Sequence, residues 1–460
     1  MRSVRLSCAN CRVTGDESEI HVLLSFRVVN HKSLRDEQQL NLAPAFDADR
    51  PPGTHWPAVP VVAILGANAS GKSNLVDALA FMRRMVLRSD REGEPGQGVE
   101  RSPFALDPDY AAQDSWYDID VVIDRVRYSY GFGLNDEQIV EEWLHRYPKG
   151  RKQVVFERKD GQYKFGTTVG ENLRRMVDIT PDRVLFLSSS ARFEQADVLP
   201  LYRWASMIRM TFEPEPGLVR QQRMHQMLAT ESQRNAVRSL LQLADLGIAD
   251  VLLEDVNVST LPGGDLVRRL SELSWHSSAK AMADLKEQAA RLAAFEPKQV
   301  RFKMKGTLGT GTLSLSQQSA GTKTFLDHLP VVLGCLRRGR PMVVDELESN
   351  LHPNLARHIV GLFQDARTNP LGAQLLLTTH NTSLLGSNNE CLKRDQVWFV
   401  EKQHENGASV VYPLSDFKPR DKENTERRYL GGSYGAVPFI DDAVAQETFA
   451  RLLAMSEDGT

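Results

Sequence analysis

The sequence is poor in cysteine, in long apolar runs and in charge of one sign. Its 460 residues include four cysteines, and 56 Lys and Arg nearly balance 59 Asp and Glu, for a formal net charge of −3. So few cysteines favour a reduced, cytosolic (cytoplasmic) protein. The near balance of charge argues against nucleic-acid binding by a wholly basic surface, although a local basic face is compatible with it.

Neither a zinc site nor a membrane segment is expected. Cys8 and Cys11 form a C-x-x-C pair, but no second pair or nearby His–His pair completes a zinc site. No uninterrupted apolar run approaches the ~18 residues of a membrane span. The N-terminus also lacks the apolar segment of a secretory signal.

A glycine-rich loop follows an apolar strand pattern early in the chain. Residues 61–65, VVAIL, predict a buried strand of a parallel sheet. Residues 66–73, GANASGKS, fit the phosphate-loop pattern G-x-x-x-x-G-K-[ST]. The apolar residues after the loop recur at helical spacing, at Leu75, Leu79, Met82 and Val86. Strand, loop and helix therefore come in the order that phosphate binding requires.

The loop predicts binding of a nucleoside triphosphate with Mg²⁺. Gly66 and Gly71 allow a tight turn that points backbone N–H groups at a phosphate. Lys72 is expected to contact the β- and γ-phosphates, and the Ser73 hydroxyl to ligate Mg²⁺. The predicted nucleotide contacts in the loop are Gly66, Asn68, Ser70, Gly71, Lys72, Ser73 and Asn74.

The acidic half of the same site is predicted far downstream. Residues 341–346, PMVVDE, read as an apolar strand that ends in two carboxylates. We expect Asp345 to hold Mg²⁺ and Glu346 to deprotonate the attacking water. A solvated turn is the alternative, but a buried strand downstream of a phosphate loop favours the catalytic interpretation.

Two further signals are weaker when taken alone. Residues 374–378, QLLLT, predict another strand, and His380 follows it where a γ-phosphate sensor would lie. A helix predicted from Pro353 joins these two strands, which makes them parallel. Ser319 and Gly321 stand at the start of another predicted helix, where an anion would be favoured, although Ser and Thr cap many helices.

The rest of the chain divides by pattern into four parts. Residues 1–21 are predicted to be a flexible tail, and residues 22–215 the N-terminal half of an ATPase head with an antiparallel β lobe. Residues 216–296 are predicted to be a helical insertion, and residues 297–460 the C-terminal half. Within the first half, residues 183–187, RVLFL, are predicted to be one more buried strand.

The joint order of these motifs resembles the ABC-type ATPase head shared by SMC, RecF and related DNA-repair proteins. The resemblance implies an α/β fold with a mostly parallel sheet, an antiparallel β lobe and a helical insertion. It implies ATP and Mg²⁺ as cofactors and His380 as the switch histidine. It also implies a homodimer or larger assembly, in which Ser319 and Gly321 of one protomer contact ATP bound to the other.

A finer resemblance is to bacterial AAA-family ATPases of the abortive-infection type, AbiLi- and RloA-like, from phage-defence operons. It implies an ATPase that controls a separate effector. The matching stretches are LSFRVVNHKSLRDEQ, GANASGKSN, QSAGTK, VVDELESNLHP, TTHNTSLL, RDQVWFVEK and ERRYLGGSYGAVPFI. One departure is QSAGT in place of the common acidic-Ser-Asp-Gly-Thr, and another is that only Gln97 is a candidate for the Mg²⁺-sensing glutamine.

Three alternatives stay open. One is a RecF- or SMC-like DNA-repair ATPase, and a second is a phosphate-loop kinase, which would have little use for Ser319, Gly321 or His380. The third is an effector that itself cleaves nucleic acid. For that, Asp441 and Asp442 are the only candidate carboxylates outside the ATP site, and they are better suited to capping a helix.

Overall fold

The computed structural model describes residues 21–46, 56–92, 98–211, 223–243, 247–255, 298–306, 309–386, 391–420, 423–438 and 442–457. The chain divides into two compact units, one formed by Met1–Glu213 with Val331–Thr460 and the other by Pro214–Pro330. Residues 1–20, Gln97 and Asp441 lie outside the described residues. Within the described ranges, no helix has both the length and the apolar character needed to cross a membrane.

The strands and helices are numbered in chain order. The strands are β1 (His21–Val29), β2 (Gln38–Asn41), β3 (Val61–Leu65), β4 (Ser115–Ile123), β5 (Val126–Leu134), β6 (Ile139–Tyr147), β7 (Gln153–Lys159), β8 (Gln162–Phe165), β9 (Arg209–Met210), β10 (Ile248–Asp255), β11 (Lys298–Gly306), β12 (Gly309–Ser314), β13 (Met342–Val344), β14 (Leu375–Thr378), β15 (Val397–Lys402) and β16 (Ser409–Pro413). The helices used below are α1 (Lys72–Arg88), α2 (Pro108–Ala111), α3 (Glu171–Arg174), α4 (Phe186–Arg192), α5 (Leu199–Met207), α6 (Glu231–Leu243), α7 (Ala320–Leu336), α8 (Pro353–Gln364), α9 (Thr425–Leu430) and α10 (Asp442–Glu457).

The larger unit contains a six-stranded sheet in the order β16-β15-β3-β14-β13-β9. Five of these strands are parallel, and β16 runs antiparallel to β15 at one edge. Every residue of β3 and β14 is buried, as expected for central strands that are covered on both faces. The predicted parallel sheet is confirmed, and the carboxyl ends of β3, β13 and β14 lie at the same edge.

The larger unit also contains a seven-stranded antiparallel sheet in the order β2-β1-β4-β5-β6-β7-β8. The predicted antiparallel lobe is confirmed, and the hairpin of β1 and β2 belongs to the same sheet because β1 pairs with β4. One hydrophobic cluster includes Ile64 of β3, Leu79 of α1 and Phe132 of β5. The helix that follows the phosphate loop is therefore packed together with both sheets.

The smaller unit contains a three-stranded antiparallel sheet in the order β10-β11-β12, with α6 packed against β10. The prediction of a helical insertion is wrong for residues 248–255, which form β10. Ile248 and Val251 are 2% exposed because β10 pairs with β11 and is covered by α6. Residues 256–297, which include the rest of the predicted insertion, lie outside the part of the chain that the structure describes.

The prediction of a strand at residues 183–187 is also wrong, because α4 begins at Phe186. Its first N–H groups bond to Glu142 of β6, a carboxylate with no exposed surface. Glu142 Oε2 accepts from Phe186 N at 2.6 Å, and Oε1 accepts from Leu187 N at 3.0 Å. A carboxylate at a helix N-terminus stabilises the helix. The sequence of residues 183–187 does not indicate this helix, because the stabilising carboxylate belongs to Glu142.

Glu142 is held by a buried set of polar groups. Its Oε1 also accepts from the Tyr130 hydroxyl at 3.0 Å. Burial raises the pKa of Glu142, while the Arg158 charge and the bonds from α4 and Tyr130 act to lower it. The carboxylate therefore connects β5, β6 and α4 across the lobe.

We expect Glu142→Ala to lower the free energy of unfolding by about 3 kcal/mol, because it leaves two backbone N–H groups and a tyrosine hydroxyl buried without a partner. Urea denaturation followed by circular dichroism measures the change. The matched control is Glu141→Ala, since Glu141 is 32% exposed and its ion pair with Lys159 is 3.4 Å long. That control should cost less than about 1 kcal/mol, and equal losses in the two variants would contradict the role of Glu142.

Candidate functional site

The phosphate loop, residues 66–73, joins β3 to α1 and lies against β15 and β16. A Cβ atom on Gly66 would come within 2.3 Å of the Val400 carbonyl oxygen. A Cβ atom on Gly71 would come within 2.2 Å of Ser409 Oγ, and Gly71 has a φ of 108°. Both positions therefore require glycine, one for close approach of the backbone and the other also for its left-handed conformation.

The Lys72 ammonium points back into the loop. Nζ donates to the carbonyl oxygens of Gly66 at 3.0 Å and Ala67 at 2.9 Å, and the residue is 6% exposed. Burial lowers the pKa of Lys72, while the negative charges of Glu346, Asp345 and Glu348 act to raise it. Three carboxylates from a segment more than 270 positions away thus lie within electrostatic reach of this amine.

Asp345 connects the loop to the ends of two other strands. Its Oδ1 accepts from Ser73 Oγ at 3.1 Å and from Thr378 Oγ1 at 2.5 Å. The structure thereby brings together the two predicted metal ligands, Ser73 and Asp345. Because β3, β13 and β14 are parallel neighbours, their carboxyl ends place these side chains together.

Glu346 and His380 face each other beside this pair. Glu346 Oε1 lies 3.8 Å from His380 Nε2, and the two side chains are 53% and 38% exposed. Glu346 has a φ of 53°, a left-handed conformation that costs a residue with a Cβ about 1 kcal/mol. Its N–H donates to Thr378 Oγ1 at 2.8 Å, which helps to hold this conformation.

Glu348 fixes the segment that carries His380. Its Oε2 accepts from Thr379 Oγ1 at 2.8 Å, and its Oε1 accepts from the backbone N–H of His380. The sequence pattern placed Glu348 only within a stretch that follows the acidic strand. Its contacts show that one carboxylate holds the backbone of His380, the predicted γ-phosphate sensor.

The remaining loop residues differ in their surroundings. Asn68 is exposed, and Asn74 Nδ2 donates to Ser33 Oγ at 2.7 Å. Ser70 is 2% exposed, and its Oγ has no hydrogen-bond partner among the residues that the structure describes. A buried hydroxyl with a free donor is a suitable group for an anion bound in the loop.

Ser319 and Gly321 belong to the smaller unit, where they stand at the start of α7. Ser319 Oγ accepts from Thr322 N at 3.1 Å and lies 2.8 Å from Thr322 Oγ1. The predicted helix start is therefore present, and Ser319 acts as its N-cap. Ser319 is exposed and Gly321 half-buried.

The residues at this edge fit a nucleotide and a divalent cation. Gly66 and Gly71 leave a backbone cradle that a side chain would fill, and Ser70 offers a buried hydroxyl donor that has no partner within the described ranges. Ser73 and Asp345 supply two oxygen ligands, which suits Mg²⁺ because that ion takes few protein ligands and keeps water or phosphate oxygens as the rest.

The sequence pattern missed four contributors to this site. Thr378 is the polar end of the apolar run QLLLT, which is a signal for a strand-end functional group. Glu348 carries no signal apart from its place two residues after Glu346. Ser33 and Ser409 could not be found from the sequence, because nothing in the local pattern relates them to the loop.

We expect Thr378→Val to lower the free energy of unfolding by about 2 kcal/mol, because Asp345 loses a donor and the Glu346 N–H loses its acceptor at a buried position. Thr368→Val is a matched control. Thr368 Oγ1 likewise donates a hydrogen bond, to the Leu362 carbonyl oxygen at 2.6 Å, but the residue is exposed and water can replace the bond. Urea denaturation of both variants measures the difference, and no difference between them would contradict the role given to Thr378.

Comparison with known proteins places the chain in a family. A family model described as "AAA domain, putative AbiEii toxin, Type IV TA system" matches residues 61–205 and 231–386. No curated protein matches the chain. Among solved structures, the SMC head domain from Thermotoga maritima is similar at 15% sequence identity and a TM-score of 0.37, over 85% of this chain and 98% of that chain. A structural similarity at this low sequence identity and TM-score carries no conclusion about activity.

The family match covers more than half of the chain, including the phosphate loop, Asp345, Glu346 and His380. The chain therefore belongs to this family of AAA-type P-loop ATPase domains.

Proposed function

We propose that this protein is an ATP-hydrolysing switch and the ATPase component of a bacterial phage-defence system of the abortive-infection type. The description of its family, which names an AbiEii toxin and a type IV TA system, supports a role in such a system. The finer resemblance to AbiLi- and RloA-like proteins is part of this proposal. The observation that carries the enzymatic part is the contact of Asp345 with both Ser73 and Thr378 beside Glu346.

The side chains at this edge have complementary roles in ATP hydrolysis. Ser73 and Asp345 would hold Mg²⁺, which when bound neutralises phosphate charge. Lys72 would exchange its bonds to the loop carbonyls for bonds to phosphate oxygens. Glu346 would accept the proton of the attacking water, and His380 would donate to the γ-phosphate. Thr378 and Glu348 keep these groups in place.

Two copies of the chain would form the active assembly. In this proposal Ser319 and Gly321 of one protomer complete the ATP site of the other, so that closure depends on bound nucleotide. Residues 216–296 are proposed to be the surface that binds a separate effector, because they contain none of the ATP-site residues. Nucleic acid is a further candidate ligand.

We expect Glu346→Gln to lower the ATPase rate about 100-fold or more, because the general base is lost while the nucleotide ligands are kept. Size-exclusion chromatography with light scattering should show an ATP-bound dimer that accumulates. The matched control is Glu171→Gln, which changes an exposed carboxylate of α3 and should leave the rate unchanged. A Glu346→Gln protein with normal turnover and no trapped dimer would falsify the proposed mechanism.

We expect the ATPase rate per protomer to rise with protein concentration, because each site needs a residue from a second copy. Ser319→Arg should abolish that rise by placing a bulky cation at the start of α7. The steady-state rate, measured over a hundredfold range of concentration with and without DNA, tests both points. A rate per protomer that is constant, and equal in the variant, contradicts composite sites. Strong stimulation by DNA would instead favour the DNA-repair alternative.

A further inference from the structure

Three segments that are distant in the sequence meet behind the phosphate loop. Ser33 lies in the turn between β1 and β2, and Ser409 is the first residue of β16. Ser409 is 1% exposed, and its N–H donates to the Ser33 carbonyl oxygen at 2.7 Å. Both hydroxyls face Gly71, since a Cβ atom there would lie 2.2 Å from Ser409 Oγ and 2.6 Å from Ser33 Oγ.

The hydroxyls form one chain of hydrogen bonds. Ser409 Oγ lies 2.5 Å from the Ser70 carbonyl oxygen and 2.7 Å from Ser33 Oγ. A carbonyl can only accept, so the Ser409 proton goes to Ser70. The same hydroxyl also points at Ser33 Oγ, which accepts from Asn74 Nδ2 at 2.7 Å. These bonds connect Asn74 of α1, the turn that carries Ser33 and the start of β16 to the backbone of the loop.

The turn that carries Ser33 is itself rigidly attached to α1. His31 Nε2 lies 2.8 Å from Asp77 Oδ2, and Lys32 Nζ lies 2.5 Å from the same oxygen. Burial acts to raise the pKa of Asp77, but the bonds and charges of His31 and Lys32 outweigh burial and lower it to about 2. This carboxylate therefore stays charged and paired at neutral pH, and it keeps the turn in place one helical turn beyond Asn74.

We infer that Ser33 and Ser409 are positioning residues that hold the phosphate loop in its anion-binding shape before a nucleotide arrives. The inference rests on the proposed function, because it deepens the account of the same ATP site. A loop that already points its N–H groups inward does not have to be ordered when phosphate binds, so the free-energy cost of binding is smaller. Neither serine has a hydrogen bond to Glu346 or His380, so the effect should fall on affinity and not on the hydrolysis step.

The test measures binding of ADP with Mg²⁺ by isothermal titration calorimetry in the full chain. Ser409→Ala and Ser33→Ala should each raise the Kd about 5- to 10-fold, the loss expected for one well-placed hydrogen bond. The kcat at saturating ATP should change less than about 2-fold. The two hydroxyls act in one chain of hydrogen bonds. The Kd of the double variant should therefore be close to the Kd of the more affected single variant, and not raised by the product of the two single effects.

The matched control is Ser188→Ala. Ser188 is 1% exposed and its Oγ donates to Asp90 at 3.1 Å, so this control also removes a buried serine hydroxyl, but beyond the far end of α1. It should leave the Kd unchanged. Thermal unfolding of all variants separates a general loss of stability from a specific loss of affinity.

The outcomes distinguish the two proposals. Single variants that unfold at lower temperature but bind with the wild-type Kd, or a double variant with fully additive effects, would overturn the positioning role. A wild-type chain that binds ADP with Mg²⁺ but does not hydrolyse ATP would contradict the proposed function alone. A wild-type chain that binds no nucleotide would contradict both.

Discussion

Asp345 is the residue on which the rest of the site depends. Its Oδ1 receives hydrogen bonds from the phosphate loop through Ser73 and from the end of β14 through Thr378. Asp345, Glu346 and Glu348 bring three negative charges close together, and like charges in a partly buried site repel strongly. The Lys72 ammonium and the hydroxyls of Thr378 and Thr379 offset this repulsion. Such a concentration of negative charge is suited to a bound cation.

The parallel sheet explains why these groups meet. β3, β13 and β14 run parallel to one another, so the segment that follows each strand lies at the same edge of the sheet. The loop after β3 carries the phosphate-binding glycines, the turn after β13 carries the carboxylates, and the turn after β14 carries His380. On the other side of the loop, β15 and β16 approach so closely that neither Gly66 nor Gly71 has room for a side chain. The loop shape is therefore determined from two sides.

The largest errors of sequence interpretation have one cause. Residues 183–187 have the apolar, β-branched pattern of a strand, yet α4 begins among them because Glu142, more than forty positions earlier, accepts from its first N–H groups. Residues 248–255 lie within the predicted helical insertion, yet they pair with β11. In both cases the local pattern allows either a helix or a strand, and a residue or strand distant in the sequence stabilises one of them. Intrinsic helix or strand propensity contributes less free energy than such a tertiary contact.

The sequence alone predicts the phosphate loop, the strand before it and the helix after it, because those elements depend on local glycine placement and on hydrophobic period. It also placed Asp345, Glu346 and His380 at strand ends, since an apolar run that ends in polar residues is a local signal. No local pattern predicts the contacts of Thr378, Glu348, Ser33 and Ser409. Their hydrogen bonds join segments tens to hundreds of positions apart, and such pairings arise from the packing of the sheets, which has no counterpart in the local order of residues.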